Sequence, residues 1–531
     1  MKRKLICLLI TSTILLGLFT ACGGNTADNS TPAATANSKE DSKEDSKATT
    51  SANTSTEKPH FELFTTHSWL SDNLEGILTE GVQEINGVTL TMNVAVDNNQ
   101  LPVMIASGDI MDLTYTSSEL SRLSTSDLCL AYNELAEEYG IDWNTSEQSI
   151  MNAKSFSQDE NYYCILNGFS TQETWDAYPE ALLSAGNCGI AVRGDIMDEL
   201  GIPEILTLED FFNAMVTVKE AKPDMVPYVL NASQMASNYS ALANFIGCVS
   251  SGSSLVQKDG EISHYANTQQ YYNYLQFMNR MYRADLFLAE NFTYTDEAAT
   301  QEFAINGTAF AYGLALRTAD DFNNKTVGSG QEWRQIIVPL TEDTKWMQSG
   351  IGWSGIFISK NVKNPEAAAK LVEWLRSDFG QRYTYWGREG DDYDLSPGGR
   401  PLFKGDRAEA EKTGDRSLFN ISLNWGFEAI VEGLLLYDPV NWPQSIDSND
   451  FIKSRSEFNS KLSLIAPTAD TAENQLRVSL LEHFRSEEIK VLLSNTEEEF
   501  ETAYAELMEN AEKIGMSKYE EYGQKAYDEL S

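Results

Sequence analysis

Few residues of this chain are of a type and spacing that could perform a reaction. Gly350-Ile351-Gly352-Trp353-Ser354-Gly355 has the spacing of a dinucleotide-binding GxGxxG loop, but such a loop follows a strand and opens a helix. This one opens a strand. The same stretch misses the GxSxG nucleophile elbow, because Ile356 occupies the last position. The histidines are His60, His67, His264 and His483, none of them in an HExxH or other paired arrangement, which leaves little material for zinc hydrolysis or a Ser-His triad. Glu389, Asp391, Asp392 and Asp394 offer the two carboxylates of a glycoside hydrolase. That chemistry needs the pair held about 5–10 Å apart with one pKa raised by burial. Four acids crowded beside Gly387 and Gly390 read instead as an exposed loop or a weak calcium site. No catalysis, cofactor or metal is expected.

Composition narrows the classes further. The chain has 531 residues, with 39 Lys+Arg against 79 Asp+Glu, a formal charge of −40. A polyphosphate partner needs clustered bases to displace counterions, so nucleic-acid binding is excluded. An apolar fraction of 42% is enough for a real core, and the length suggests two or three domains.

The first residues read as an address. Lys2, Arg3 and Lys4 precede an uncharged run from Leu5 to Phe19, too short and too interrupted by Thr11, Ser12 and Thr13 to span a bilayer. The run ends Leu18-Phe19-Thr20-Ala21-Cys22, which resembles a bacterial lipobox with Cys22 as the lipidated residue. Residues 1–22 are therefore expected to be a lipoprotein signal peptide, whose removal leaves a charge of −43. Residues 23–58 carry no apolar period and repeat Ser-Lys-Glu-Asp. Such a stretch cannot offset its ordering entropy and reads as a disordered tether with a span of roughly 33 Å. The expected location is the outer face of a cell membrane, anchored through the lipid, in a Gram-positive bacterium. Of the other cysteines, Cys7 lies in the signal, and Cys129, Cys164, Cys188 and Cys248 form no CxxC pair. They read as buried thiols, with one disulfide left open.

The rest must position whatever side chains matter, and it reads as an open α/β sheet. A strand is expected at 61–66. Val88, Leu90, Met92, Val94 and Val96 alternate with polar or small residues, the period of a second strand. A helix over 100–107 leads to a third strand at 110–115. Strand–helix–strand–helix–strand implies parallel pairing, and ligands then sit at the carboxyl ends of the strands. That rule nominates Trp69, Asp97 with Asn98, and Tyr115 to Ser117. Farther on, Thr207 caps an amphipathic helix that Pro223 stops, Asn364-Pro365 opens another running to Gly380, and Phe500 to Ile514 recurs at helical spacing. Strand-like runs lie at 308–314, 335–340 and 355–359, and the last third is mainly helical.

Several segments resemble the family 1 extracellular solute-binding proteins of ABC sugar importers, in the family's order. Ile105-Ala-Ser-Gly-Asp-Ile-Met-Asp112 is similar to their ASGDxPD segment, with Met111 in place of Pro. Arg193-Gly-Asp-Ile-Met-Asp-Glu-Leu-Gly-Ile-Pro203, running into Thr207-Leu-Glu-Asp-Phe211, resembles RxDxLxxLGxPxPxTxxEF. Ile358-Ser-Lys-Asn-Val-Lys-Asn-Pro-Glu-Ala-Ala368 looks like their IxKxxKNPEAA junction. Tyr385-Trp-Gly-Arg-Glu-Gly390 with Tyr393, and Gln524-Lys-Ala-Tyr-Asp528, are similar to the longer LplA-like lipoprotein branch. The resemblance implies a type II periplasmic-binding-protein-like fold of two lobes, each a mostly parallel sheet flanked by helices, with a helical C-terminal part. By analogy lobe one spans 60–168 plus 328–378, and lobe two spans 169–327 plus 379–531.

It also implies a monomeric receptor that closes on a small molecule in the cleft and hands it to ABC permease subunits. Carbohydrate clefts combine aromatic platforms for C–H faces with polar groups for hydroxyls. With 10 Trp and 23 Tyr available, six Trp fall in loops or at strand ends: Trp69, Trp175, Trp353, Trp386, Trp425 and Trp442. The expected ligand-binding residues are Trp69, Asp97, Tyr115, Tyr312, Trp353, Trp386 and Glu389. Trp353 precedes a strand that the family places beside the cleft, Tyr312 is its lobe-two counterpart, and Glu389 is an acceptor for hydroxyls. An oligosaccharide is the expected cargo, with a peptide or another polar solute as the alternative. A glycoside hydrolase and a non-transport surface module such as an adhesin are the remaining classes; repeats, which would favour adhesion, are absent beyond the tether.

Overall fold

The computed structural model describes residues 58–67, 79–167, 172–177, 189–230, 253–258, 260–294, 297–348, 352, 354–399, 401–413, 444–467 and 471–530. Two four-stranded sheets organise them. In the first, His60–Thr65 lies between Thr89–Val94 and Leu113–Thr116 and is parallel to both, in the register Leu63 opposite Met92 and opposite Leu113. The parallel pairing follows from the helix Gln100–Ser107, which carries the chain back between the second and third strands. Gly355–Ile358 closes the edge, antiparallel to Leu113–Thr116.

His60–Thr65 and Gly355–Ile358 divide their apolar residues between the two faces of this sheet. Phe61, Leu63, Leu113, Ile356 and Ile358 pack on Leu371, Val372 and Leu375 of the helix Pro365–Arg376, which Asn364 caps. Phe64 and Phe357 pack on Leu101 and Ile105 on the other side. Leu113–Thr116 and Gly355–Ile358 are buried throughout, as strands covered on both faces must be.

The second sheet has the order Val226–Leu230, Ala309–Gly313, Ile190–Arg193, Trp333–Ile336. The expected predominance of parallel pairing holds in the first sheet and gives way to a mixed pattern here. Val226–Leu230 is parallel to Ala309–Gly313, while Ile190–Arg193 runs antiparallel to both of its neighbours. Phe211 and Met215 of the helix Leu208–Ala221 back one face with Tyr228 and Phe310. Thr207 and Asp210 cap that helix reciprocally, Thr207 Oγ1 accepting from the Asp210 N–H and the Asp210 carboxylate from the Thr207 N–H. Ala472–Leu492, Glu497–Ile514 and Met516–Glu529 form the helical end of the chain. Gly523 lets Leu255 approach to a distance that any Cβ would block, so the last helix seats against the hairpin of Leu255–Lys258 and Glu261–His264.

Two expectations about the lobe boundaries fail at the level of single elements. The strand Trp333–Ile336, placed by sequence in lobe one, pairs with Ile190–Arg193 of the second sheet. The helix beginning at Pro365 stops at Arg376, because the Ser377 hydroxyl accepts from the Gly380 N–H and starts a new helix, Asp378–Trp386. That helix folds back rather than leaving, so Tyr383 joins the first sheet's core and donates to Glu80 at 2.6 Å.

Candidate ligand-binding site

The carboxyl ends of the first sheet's parallel strands carry a seam of buried polar side chains. His67 follows the first strand, Tyr115 and Thr116 end the third, Asn167 ends an extended segment, and Ser354 precedes the antiparallel edge strand. The Asn167 amide donates from Nδ2 to the Tyr115 hydroxyl (3.1 Å), and its Oδ1 accepts from the Ser354 N–H (2.9 Å). Asn167 N–H donates in turn to the Ser354 carbonyl (2.8 Å). Ser354 Oγ shares a 2.7 Å hydrogen bond with His67 Nε2, and the His67 ring stands edge-on to Tyr115 at 4.8 Å between centroids. Thr66 and Thr116 join their hydroxyls at 2.8 Å across the same edge.

This arrangement is tightly packed. A Cβ at Gly352 would lie 1.5 Å from the Asn167 carbonyl oxygen, so glycine there is what lets the two loops touch. Tyr115 and Ser354 are fully buried and His67 nearly so. Burial pushes the His67 pKa down to about 4, because a desolvated imidazolium is disfavoured; at neutral pH the ring is uncharged. Beyond the seam, Ser117 and Ser118 are exposed and Glu119 holds a left-handed backbone at φ 59°, its carboxylate paired with Arg122 at 2.8 Å. Backbone strain of this kind is retained where surrounding structure over-determines it.

The expected site residues are distributed unevenly. Tyr115 is in the seam, where its hydroxyl accepts a hydrogen bond. Trp69 and Trp353 lie outside the described residues, as do Cys22, Cys188, Cys248, Trp425 and Trp442; in the sequence Trp69 stands two positions after His67 and Trp353 directly before Ser354. Asp97 is exposed at the end of the second strand, its Oδ1 accepting from the Asn99 N–H at 2.8 Å in a local turn.

Two aromatics belong to cores rather than to an open surface. Tyr312 is fully buried, within 3.0 Å of the Thr300 hydroxyl and edge-on to Phe322. Trp386 is also fully buried, packed edge-on against Tyr393 at 5.5 Å. The reason is the Ser377 break, which turns the Trp386 helix inward. Trp175, 5% exposed, stands edge-on to Phe458 at 4.7 Å with the Lys453 ammonium over its ring at 5.9 Å.

Glu389 is exposed and paired through its backbone with Tyr393. Its acidic neighbours are held by cations: Asp392 by Arg388 and Arg407, and Asp394 by Lys404 at 2.7 Å. Arg388 also forks onto Glu80, whose pKa the Tyr383 hydroxyl and then Arg388 pull below the ordinary range. Asp392 and Asp394 thus belong to an ion-pair network. Among the described residues no group of three or more His, Cys, Asp or Glu is placed to hold a metal ion. Cys129 and Cys164 are buried free thiols, their pKa values pushed up by burial.

The sequence reading missed His67, Asn167 and Ser354. The strand-end rule that nominated Trp69 applies equally to His67. Asn167 has no comparable local signal, since its partners lie 52 and 187 positions away.

The family model for bacterial extracellular solute-binding proteins matches residues 97–382. The chain belongs to that family. Solved solute-binding proteins share its two-lobed fold. FusA, an ABC-transporter substrate-binding protein of S. pneumoniae in complex with kestose, has a TM-score of 0.60 at 15% identity, over 89% of this chain and 99% of that one. The alginate-binding protein AlgQ2 gives 0.59 at 16%, over 89% and 98%. The N-glycan transport solute-binding protein NgtS of Streptococcus pneumoniae gives 0.59 at 14%, over 89% and 99%. Comparison with curated proteins finds no match. No helix among the described residues of this solute-binding protein is long and apolar enough to cross a membrane.

Proposed function

We propose that this solute-binding protein captures an uncharged oligosaccharide between its lobes and delivers it to the permease of an ABC importer. The observation that carries the reading is the Tyr115–Asn167–Ser354–His67 seam: a neutral, hydrogen-bonded floor at the strand ends, to which Trp69 and Trp353 lie close in sequence. A neutral setting at the strand ends suits the hydroxyls and C–H faces of an uncharged sugar, and the solved proteins of like fold whose names include kestose and N-glycans support carbohydrate as the class. Lobe one is proposed to hold the first sheet with the helices to Trp386, and lobe two the second sheet through Ile336 with the C-terminal helices. A ligand that touches both lobes only when they close favours the closed state, the behaviour for which periplasmic binding proteins are the reference case. Cys22 is proposed to carry the lipid that moors a monomer outside a Gram-positive cell, on the tether of residues 23–58.

The His67–Ser354 contact also resembles a nucleophile and its base. Ser354 is completely buried, and its hydroxyl points into the seam, where no substrate carbonyl could reach it. A nucleophile must be accessible to its electrophile, so burial favours binding over acyl transfer. Thermal denaturation of the purified protein with a panel of mono- and oligosaccharides, and with peptides in parallel, tests the proposal. A ligand at 100 times its Kd should add about 2.7 kcal/mol of stability. Peptides raising Tm while every glycan leaves it unmoved would replace the carbohydrate reading, and release of product from a glycan or ester would end the non-enzymatic one.

A further inference from the structure

We propose that the side-chain amide of Gln335 donates a hydrogen bond to the bound ligand at the strand-end edge of the second sheet. The proposal rests on the carbohydrate reading and deepens it by assigning a lobe-two donor.

Gln335 lies on the strand Trp333–Ile336 opposite Ala191 and is 9% exposed. Its Oε1 accepts from the Ala319 N–H at 3.1 Å, in the first turn of the helix Thr318–Lys325. Only the carbonyl end of an amide can accept that bond, so the helix fixes which way the group faces. The Nε2 end is turned away from the helix, is itself buried, and meets no acceptor among the described residues. It rests directly over Gly189: a Cβ there would sit 2.3 Å from Nε2 and 2.7 Å from the Ala315 carbonyl oxygen. Glycine at 189 therefore makes the space the amide occupies.

The position is at the ligand-facing edge of the sheet. Gly189 precedes Ile190, which pairs with Gly313 and Ile336, and Gly313 pairs with Leu230. Three strands thus present their carboxyl ends beside Gly189, the location where ligands of α/β sheets bind. Buried donors in native proteins nearly always have a partner, and an amide pinned by its oxygen cannot rotate to find one. An uncharged N–H pair suits a hydroxyl or ring oxygen of a neutral sugar.

The test is isothermal titration of the full protein and of Gln335→Glu and Gln335→Met with the neutral probes 1-kestose, maltotriose and Man5GlcNAc, using whichever raises the wild-type Tm. Gln335→Glu keeps an acceptor for the Ala319 N–H and discards both donors; Gln335→Met removes the polar group without adding charge, so one variant remains if the other fails to fold. Roughly tenfold weaker binding in the folded variants is expected, the loss of one ligand hydrogen bond. Wild-type affinity in the variants overturns the role of Gln335 and leaves the carbohydrate reading standing. No response of the wild type to any glycan removes that reading and this proposal with it.

Discussion

Acid should destabilise this protein through two histidines, and the contribution of His67 is separable. Burial lowers the pKa of His67 to about 4 and that of His264 to about 3, the latter ring stacked on Phe484 at 5.1 Å and accepting at Nδ1 from the Ala266 N–H. In both, the folded value lies below that of the unfolded chain, near 6.5. The unfolded chain therefore takes up the proton first. Stability is complete above about pH 6.5 and falls with pH, until about 4 for His67 and about 3 for His264. Each histidine removes about 1.4 kcal/mol for each pH unit in its window. For His67 that is roughly 2 kcal/mol between pH 6.5 and 5, and roughly 3 kcal/mol in all. Carboxylates with lowered pKa, Glu80 among them, titrate below about pH 4.5, so the interval from 7 to 5 belongs to the histidines. Urea unfolding at pH 7 and pH 5 of wild type and of His67→Gln measures the difference. The variant should lose about 2 kcal/mol less than wild type on going to pH 5. An equal loss in both would mean that His67 is solvated or already charged in the folded state, and the neutral floor of the seam would be refuted.

Tyr312→Phe should lower stability by about 1 kcal/mol, through the lost Thr300 hydrogen bond, and leave glycan affinity unchanged, because the ring is fully buried; weaker binding at unchanged stability would return Tyr312 to the site. Thr207→Ala removes half of a reciprocal cap and should lower stability by about 1 kcal/mol, read as a lower urea midpoint at constant m. A midpoint identical to wild type would show that tertiary packing alone holds the start of that helix.

The elements that local chemistry determines were legible. A period of two over Val88 to Val96, with a helix on its far side, is enough to expect the parallel pairs that His60–Thr65 makes with its neighbours. Thr207 with Asp210, and Asn364 before Pro365, carry their own caps. What sequence could not give was long-range partnership. Trp333–Ile336 has the composition of either sheet, and only its pairing with Ile190–Arg193, some 140 positions earlier, assigns it. Ser377 reads as one more polar residue in a helix until its hydroxyl is seen capping the next one, and Trp386 follows it into the core. The site divides the same way. The strand-end rule nominates Tyr115, which the structure places in the seam, whereas Asn167 and Ser354 become a pair only when two distant segments meet over Gly352.

That division has a functional consequence. The seam is buried, so in the proposed reading a ligand does not touch it directly, and every ligand depends on the same floor. Ser354→Ala deletes the hydroxyl beside His67 Nε2 and loosens the junction between Ser354 and the strand end at His67. Because that junction is shared, the variant should weaken all bound glycans by a similar factor, of a few-fold to tenfold for one hydrogen bond, and keep their rank order. Trp353→Ala removes a proposed platform whose stacking depends on which C–H face a sugar presents, so it should reorder the panel, abolishing some responses and sparing others. Titration of both variants against the same glycans separates floor from platform. Reordering by Ser354→Ala, or uniform weakening by Trp353→Ala, would reverse the assignment: the seam would then touch the ligand directly, and Trp353 would be a packing residue.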